Sequence, residues 1–292
     1  DGERVGGGPA AAFTQDSLVA LMVGRALGQL YPERHRTVPA AARPASPRLE
    51  VDGVSRRGVV DDISFRLAEG EILGLFGLMG AGRSELARIL FGLDPQTSGS
   101  VRLDQQPLMG GPRRRIRRGL AFLTEDRRHE GLCLEASIAD NLALVTLSRH
   151  ARGPLGWLDR EALHAAVDRV ARAVQLSSRS SLDQAAGTLS GGNQQKVVLG
   201  KWLLSEPRVL ILDEPTRGVD VGARYELYQL IQQHADRGAG VLLISSELEE
   251  LTGLCDRILV LRQGRCVAEF PRDRFDRESL LGAAVHASRS CA

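Results

Sequence analysis

Residues 72–84 run from an apolar stretch, Ile72–Phe76, directly into Gly77-Leu78-Met79-Gly80-Ala81-Gly82-Arg83-Ser84. Three glycines in six positions let a backbone curl around an anion where a Cβ would block the turn. A helix opening just after them aims its free N–H groups inward, which makes the segment a phosphate loop in a strand–loop–helix setting. A second anion-suited element is Leu189-Ser190-Gly191-Gly192-Asn193-Gln194-Gln195-Lys196, where a bare Ser-Gly-Gly opens a helix. Between this helix and Thr216-Arg217 lies Val209-Leu210-Ile211-Leu212-Asp213-Glu214-Pro215, an apolar run that delivers two carboxylates to a loop. Anion-binding backbone and paired carboxylates together are the parts needed to hold a phosphate ester and a divalent cation.

The elements that must position these residues follow from periodicity. Leu49–Val54 and Ile63–Leu67 alternate as strands of a small antiparallel sheet, with Gly58 in the turn. Ile72–Phe76, Ala121–Leu123, Val209–Leu212, Val241–Ile244 and Ile258–Leu261 are short continuous apolar runs, as expected of strands buried on both faces. Helices are expected at Ser84–Phe91, Gln194–Leu204 and Ala223–Gln233. Another is expected over Arg160–Val174, with Leu163, Ala166, Val167, Val170 and Val174 on one face. Alternating strands and helices predict an α/β fold with a doubly wound, mostly parallel core sheet, and a helix-rich lobe from about 138 to 189.

The two ends of the chain resemble each other. Gly2, Val5, Pro9, Phe13 and Asp16-Ser17-Leu18 recur as Gly264, Val267, Pro271, Phe275 and Glu278-Ser279-Leu280, at a constant offset of about one domain length. That pattern predicts a tandem arrangement. Residues 1–36 would be the tail of a preceding, truncated copy and 37–47, rich in Ala and Pro, a linker. Residues 48–284 would then be one complete unit and 285–292 a C-terminal tail. The absence of an initiator Met fits such a truncation.

Composition excludes several classes. A net charge of +2 over 292 residues gives no global pull toward nucleic acid. The longest apolar candidate, Leu18–Leu30, is cut by Arg25 and two glycines, so no transmembrane segment is expected. Cys133, Cys255, Cys266 and Cys291 have neither paired nor zinc spacing and read as reduced thiols. The cluster Arg113, Arg114, Arg115, Arg117, Arg118 reads as a solvated helix face. Lys196 and Lys201 are the only lysines, so the chain uses Arg almost everywhere.

Phosphate loop, then Leu-Ser-Gly-Gly, then Asp-Glu is an order that resembles the ATP-binding-cassette (ABC) ATPases. The longer strings are similar to the second cassette of fused double-cassette ATPases of bacterial monosaccharide importers, the ribose/galactose/xylose class. They include Glu125-Asp126-Arg127 with Gly131-Leu132, Leu189–Lys196, Asp213–Ala223 and Ser245-Ser246-Glu247-Leu248, with Met22-Val23-Gly24-Arg25 and Tyr31-Pro32 upstream. The resemblance implies ATP and Mg²⁺ as cofactors and a RecA-like core carrying a small antiparallel β subdomain and a helical subdomain. Gly77, Leu78, Met79, Gly80, Ala81, Gly82, Arg83 and Ser84 would cradle the phosphates. Ser84 and Asp213 would hold the metal, and Glu214 would polarise the attacking water. Ser190, Gly191, Gly192 and Gln194 would close over ATP bound to a facing cassette, and Asp220 would lie in a loop that crosses to it.

Three positions depart from the general family pattern. Arg83 replaces the usual Lys, although the resembled second cassette also carries Arg there. Glu125 stands for a loop Gln, and Ser246 for the switch His. A serine supplies no cationic donor, so a weak hydrolytic site that donates an intact signature motif is expected. Adenine stacking would fall to Arg56 or Arg57. The implied partners are a first cassette or a second copy, a membrane permease dimer and, indirectly, an extracytoplasmic sugar-binding protein, with no nucleic acid. The implied location is peripheral, on the cytoplasmic face of the cell membrane. A soluble ABC ATPase of translation or DNA repair, and a non-catalytic regulatory cassette, are the alternative readings.

Overall fold

A computed structural model describes residues 4–9, 12–14, 21, 31–32, 47–153, 156–176 and 181–285. The expected preceding tail, linker and C-terminal tail, with Met22–Arg25, lie almost wholly outside these. Strands β1 (Leu49–Arg56) and β2 (Val60–Leu67) pair antiparallel, and Leu49, Val51, Ile63 and Leu67 face inward at alternate positions. β3 (Ile72–Phe76) is buried at every residue and leads into helix α1 (Arg83–Phe91). β4 (Ser98–Leu103) and β5 (Gln106–Pro107) complete a four-stranded sheet in the order β2-β1-β4-β5.

Helix α2 (Pro112–Arg117) and strand β6 (Leu120–Leu123) follow, then helix α3 (Ile138–Ala143), hairpin β7 (Ala151–Arg152) and β8 (Trp157–Leu158), and helix α4 (Arg160–Ala173). The remaining elements are α5 (Gly191–Leu203), β9 (Val209–Asp213), α6 (Val221–Asp236), β10 (Gly240–Ile244), α7 (Leu248–Leu254), β11 (Arg257–Arg262), β12 (Arg265–Pro271) and α8 (Arg277–Val285). The large sheet runs β12-β11-β3-β10-β9-β6, parallel except for β12 at its edge. This is the α/β architecture expected, with a mostly parallel core and a small antiparallel sheet. β3, β9 and β10 are buried throughout because helices cover both faces.

Register fixes where the site must be. Ile244 lies opposite both Asp213 and Leu75, and Leu123 lies opposite Leu212. The carboxyl ends of β3, β6, β9 and β10 therefore stop at one level, and the loops leaving them share one edge of the sheet. That edge is where open α/β sheets bind ligands. Helix α4 buries Ala166, Val167 and Ala171, the face read from its periodicity. Ile138, Leu142 and Val167 join a core cluster continuous with the sheet.

One expectation is corrected here. Arg113, Arg114, Arg117 and Arg118 are exposed, but Arg115 is buried. Its guanidinium donates to the carbonyls of Ile89 and Leu90, 2.9 and 2.5 Å away, and to that of Gly110. It thereby adds donors at the C-terminal end of α1, where the Ile89 carbonyl also accepts from Gly92 N–H, so the arginine cluster is not a uniformly solvated face.

Candidate active site at the carboxyl edge of the sheet

The loop from Gly77 to Gly82 wraps tightly because two of its glycines adopt positive φ, +77° at Gly80 and +96° at Gly82. Gly77 is required for a different reason. A Cβ there would lie 2.5 Å from the Leu261 carbonyl oxygen, and backbone cannot yield as a flexible side chain can. Gly77→Ala is therefore expected to cost roughly 1–3 kcal/mol, lowering Tm by several degrees in a thermal melt. An unchanged Tm would contradict this packing. The loop is further pinned where Gly264 N–H donates to the Ala81 carbonyl. Leu78 and Met79 point outward, Met79 being 96% exposed. No side chain caps α1, so its first-turn amides remain free for an anion.

Beneath the loop sits Asp213 at the end of β9. It is 2% exposed, and its Oδ1 has no hydrogen-bond partner. Burial pushes its carboxyl up from 3.8 to about 6; Ser84's hydroxyl and the Arg83 charge oppose that rise, while Glu214 adds to it. A buried carboxylate oxygen without a partner, beside a serine hydroxyl, fits a divalent cation. No cluster of three His, Cys, Asp or Glu among the described residues could hold a metal by itself. Mg²⁺ suits such a site, because it binds through one or two carboxylates and takes its other oxygens from phosphate and water.

Glu214 adopts φ +48°, a conformation a non-glycine residue occupies only when its surroundings impose it. Its N–H donates to the Ile244 carbonyl at 2.9 Å, and its Oε2 accepts from Ser246 Oγ at 3.1 Å. Its Oε1 lies 3.5 Å from Arg83 Nη1, which also donates to the Ser245 carbonyl at 2.8 Å. Arg83 thus reaches across to the Glu214 carboxylate instead of pointing over the loop. Glu125 pairs with Arg217. Together with Ser84 and Asp213 they line a cleft of about 560 Å³.

A second cleft, of about 630 Å³, lies on the other side of the loop between Arg57, Val59, Gly80, Thr97 and Gln263. Arg56 is held by Asp94 at 2.7 Å, which leaves Arg57 as the exposed guanidinium beside this cleft.

Ser190 caps α5, its Oγ accepting from Asn193 N–H at 3.4 Å and from Asn193 Nδ2 at 3.2 Å. Asp220 caps α6 in the same way through Ala223 N–H. The two helix starts abut at Gly192, where a Cβ would come within 2.6 Å of Ala223 Cβ. Ser190, Gly191, Gly192 and Asp220 therefore form one group, and neither cleft is lined by it. Gln194 departs from the role expected of it. Its side chain is buried, with the amide nitrogen 3.5 Å from the Ala186 and Gly187 carbonyls and Oε1 without a hydrogen-bond partner, so it faces the turn before α5 and not the surface.

Sequence reasoning missed Arg127 and Arg217. Arg127 donates to the carbonyls of Arg217 and Gly218 and packs on Gly191, so it links the Glu125 segment to the Ser190 group. Both arginines stand within motifs already singled out, but nothing in spacing alone pairs them.

A family model described as ABC transporter matches residues 60–217, more than half of the chain. The chain is 45% identical over 291 residues to the ribose import ATP-binding protein RbsA 1 of Rubrobacter xylanophilus, covering 99% of this chain and 56% of that protein. It is 43% identical over 269 residues to the ribose import ATP-binding protein RbsA of Bacillus licheniformis, covering 92% and 53%. It spans about half the length of these curated relatives. Among solved structures, an ATP-binding subunit of an ABC transporter superposes with TM-score 0.63 at 26% identity, over 82% of this chain and 95% of that one. A nucleotide-free ATP-binding cassette from an ABC transporter superposes with TM-score 0.69 at 21% identity, over 81% and 95%, and shows the shared fold. Matched across its phosphate loop, its Ser-Gly-Gly helix start and its Asp213-Glu214 pair, the chain belongs to the ABC transporter family.

Proposed function

We propose that this chain is the ATP-binding cassette of an importer that couples ATP hydrolysis to uptake of a monosaccharide or related small polar solute. The observation that carries the proposal is the partnerless Oδ1 of Asp213 beside Ser84, set under an uncapped helix start and a glycine cradle. Ser84 and Asp213 would hold Mg²⁺, which, when bound, neutralises charge on the phosphate oxygens. The loop Gly77–Gly82 and the first amides of α1 would hold the phosphates, and Arg57 would border the adenine. Glu214 would take the proton from the attacking water.

Glu214 Oε1 lies against Arg83 and its Oε2 accepts from Ser246. Arg83 would exchange this carboxylate for a phosphate oxygen as nucleotide arrives, freeing Glu214 for its role as base. With Ser246 in place of a cationic donor, slow intrinsic turnover follows.

Ser190 and Gly192 lie apart from both clefts, which supports their acting on ATP held by a second cassette, either a second copy or a preceding cassette of the same polypeptide. The similarity between the chain ends supports the latter. It also supports the division into a preceding tail (1–36), linker (37–47), cassette (48–284) and C-terminal tail (285–292). Among the described residues no helix is long and apolar enough to cross a membrane. The partners of this reading are a membrane permease dimer, with this cassette peripheral on its cytoplasmic side, and a sugar-binding protein outside.

The test is uptake of labelled ribose by cells carrying the intact transporter with Ser190→Arg. Arginine at this cap places a bulky side chain where the partner's ATP would sit, so uptake at background is expected. Wild-type uptake would contradict the donor role.

A further inference from the structure

Glu250, on α7, is 1% exposed and absent from the chemistry derived above. A carboxyl group this buried is costly unless something uses it. Its Oε1 accepts from Thr216 Oγ1 at 2.8 Å, and Thr216 is itself buried two residues beyond Glu214. The Ser245 side chain lies near the carboxyl, whose Oε2 accepts no hydrogen bond. Ser245 is wholly buried and opens the turn into α7, its Oγ accepting from Glu247 N–H at 3.0 Å. One carboxyl therefore meets both the loop leaving β9, which carries Glu214, and the turn leaving β10, which carries Ser246.

Its cover is aromatic. Tyr228 of α6 is buried near Glu250, and Tyr31, from the segment before the cassette, stacks on Tyr228 with ring centroids 5.3 Å apart and planes 25° apart. The Tyr31 ring fills the space that Gly253 leaves open, since a Cβ there would meet it at 2.5 Å. Burial pushes the Glu250 carboxyl up, in keeping with this dry setting.

Glu214 needs such support. Its φ of +48° persists only where tertiary contacts over-determine it. We infer that Glu250 is a positioning residue: through its bond to Thr216, and lying beside Ser245, it ties the Glu214 loop to the Ser246 turn, and Tyr31 completes its cover. This rests on the reading of Glu214 as general base.

The test compares Glu250→Gln, Glu250→Ala, Thr216→Val and the double variant Glu250→Ala/Thr216→Val in this chain paired with a second ABC cassette. The readouts are kcat and KM for Mg-ATP, Tm, and hydrogen exchange at the Glu214 amide. Misplacing a base by about 1 Å costs up to ~10²-fold. Glu250→Ala and Thr216→Val are thus expected to lower kcat by at least about tenfold with KM little changed, and to speed exchange at Glu214. The double variant should be no worse than either single, as for members of one unit. Glu250→Gln keeps an acceptor oxygen for Thr216 and should restore kcat and protection.

A lower Tm with kcat intact in Glu250→Ala would overturn the inference, as would Glu250→Gln matching the Ala variant. If wild type and Glu214→Gln turn over equally, the assignment of Glu214 fails instead. Exchange at the Glu214 amide still decides the clamp, and unchanged protection in Glu250→Ala and Thr216→Val would refute it.

Discussion

Glu214→Gln is expected to lower ATP turnover by about 10²–10⁴-fold, the usual contribution of a general base, while leaving ATP binding intact. Glutamine keeps the size of the side chain and can still accept from Ser246 Oγ, 3.1 Å away in the wild type. What it loses is the charge that draws Arg83 Nη1 to within 3.5 Å of the carboxylate. Freed from that pair, Arg83 is held by the Ser245 carbonyl and the Asp213 charge alone among the contacts described above, so nucleotide affinity should hold or rise. The two effects separate in one experiment, with turnover followed by phosphate release and affinity by titration of a fluorescent ATP analogue. Turnover within about threefold of wild type would remove Glu214 from the chemistry.

Asp213→Asn is expected to stabilise the nucleotide-free protein while abolishing Mg²⁺-dependent ATP binding. Burial raises the Asp213 carboxyl from 3.8 to about 6. Between those values the folded state binds more protons than the unfolded state, so stability falls as pH rises through the window, and the loss is complete above it. At 1.36 kcal/mol per unit the penalty at neutral pH has an upper bound of about 3 kcal/mol. Asparagine carries no charge to desolvate. Its Tm should exceed wild type by several degrees at pH 7.5, and the difference should shrink toward pH 4. A variant Tm equal to or below wild type at pH 7.5 would show that Asp213 is stabilised by contacts the fold already supplies. In the wild type the proton competes with the cation for the same oxygen, so Mg²⁺-dependent binding should weaken below pH 6. The site thus sacrifices stability for function.

Much of this site was legible because its parts are local. β3, β9 and β10 are five-residue runs buried on both faces, so a short apolar stretch with a polar end identified them. The glycine loop and the Ser190 cap are likewise set by neighbours within a few residues. Partly exposed strands were harder. β4 and β12 are half-exposed, and Ser98–Leu103 has only two apolar side chains to form a pattern. Long-range pairs were not legible at all. Arg115 on the end of α1, Glu125 with Arg217, and Thr216 with Glu250 are joined only when the sheet register brings distant loops level. Gln194 illustrates the converse: its place in the motif suggested ligand contact, yet helix rotation turns it inward.

The deciding measurement is steady-state Mg-ATP hydrolysis by this chain alone and paired with a second ABC cassette, each with and without Ser190→Arg in this chain. Turnover near background alone, rising at least tenfold on pairing and losing most of that rise in Ser190→Arg, is the predicted result. Equal turnover alone and paired, indifferent to Ser190→Arg, would contradict it and make this cassette a self-sufficient catalyst.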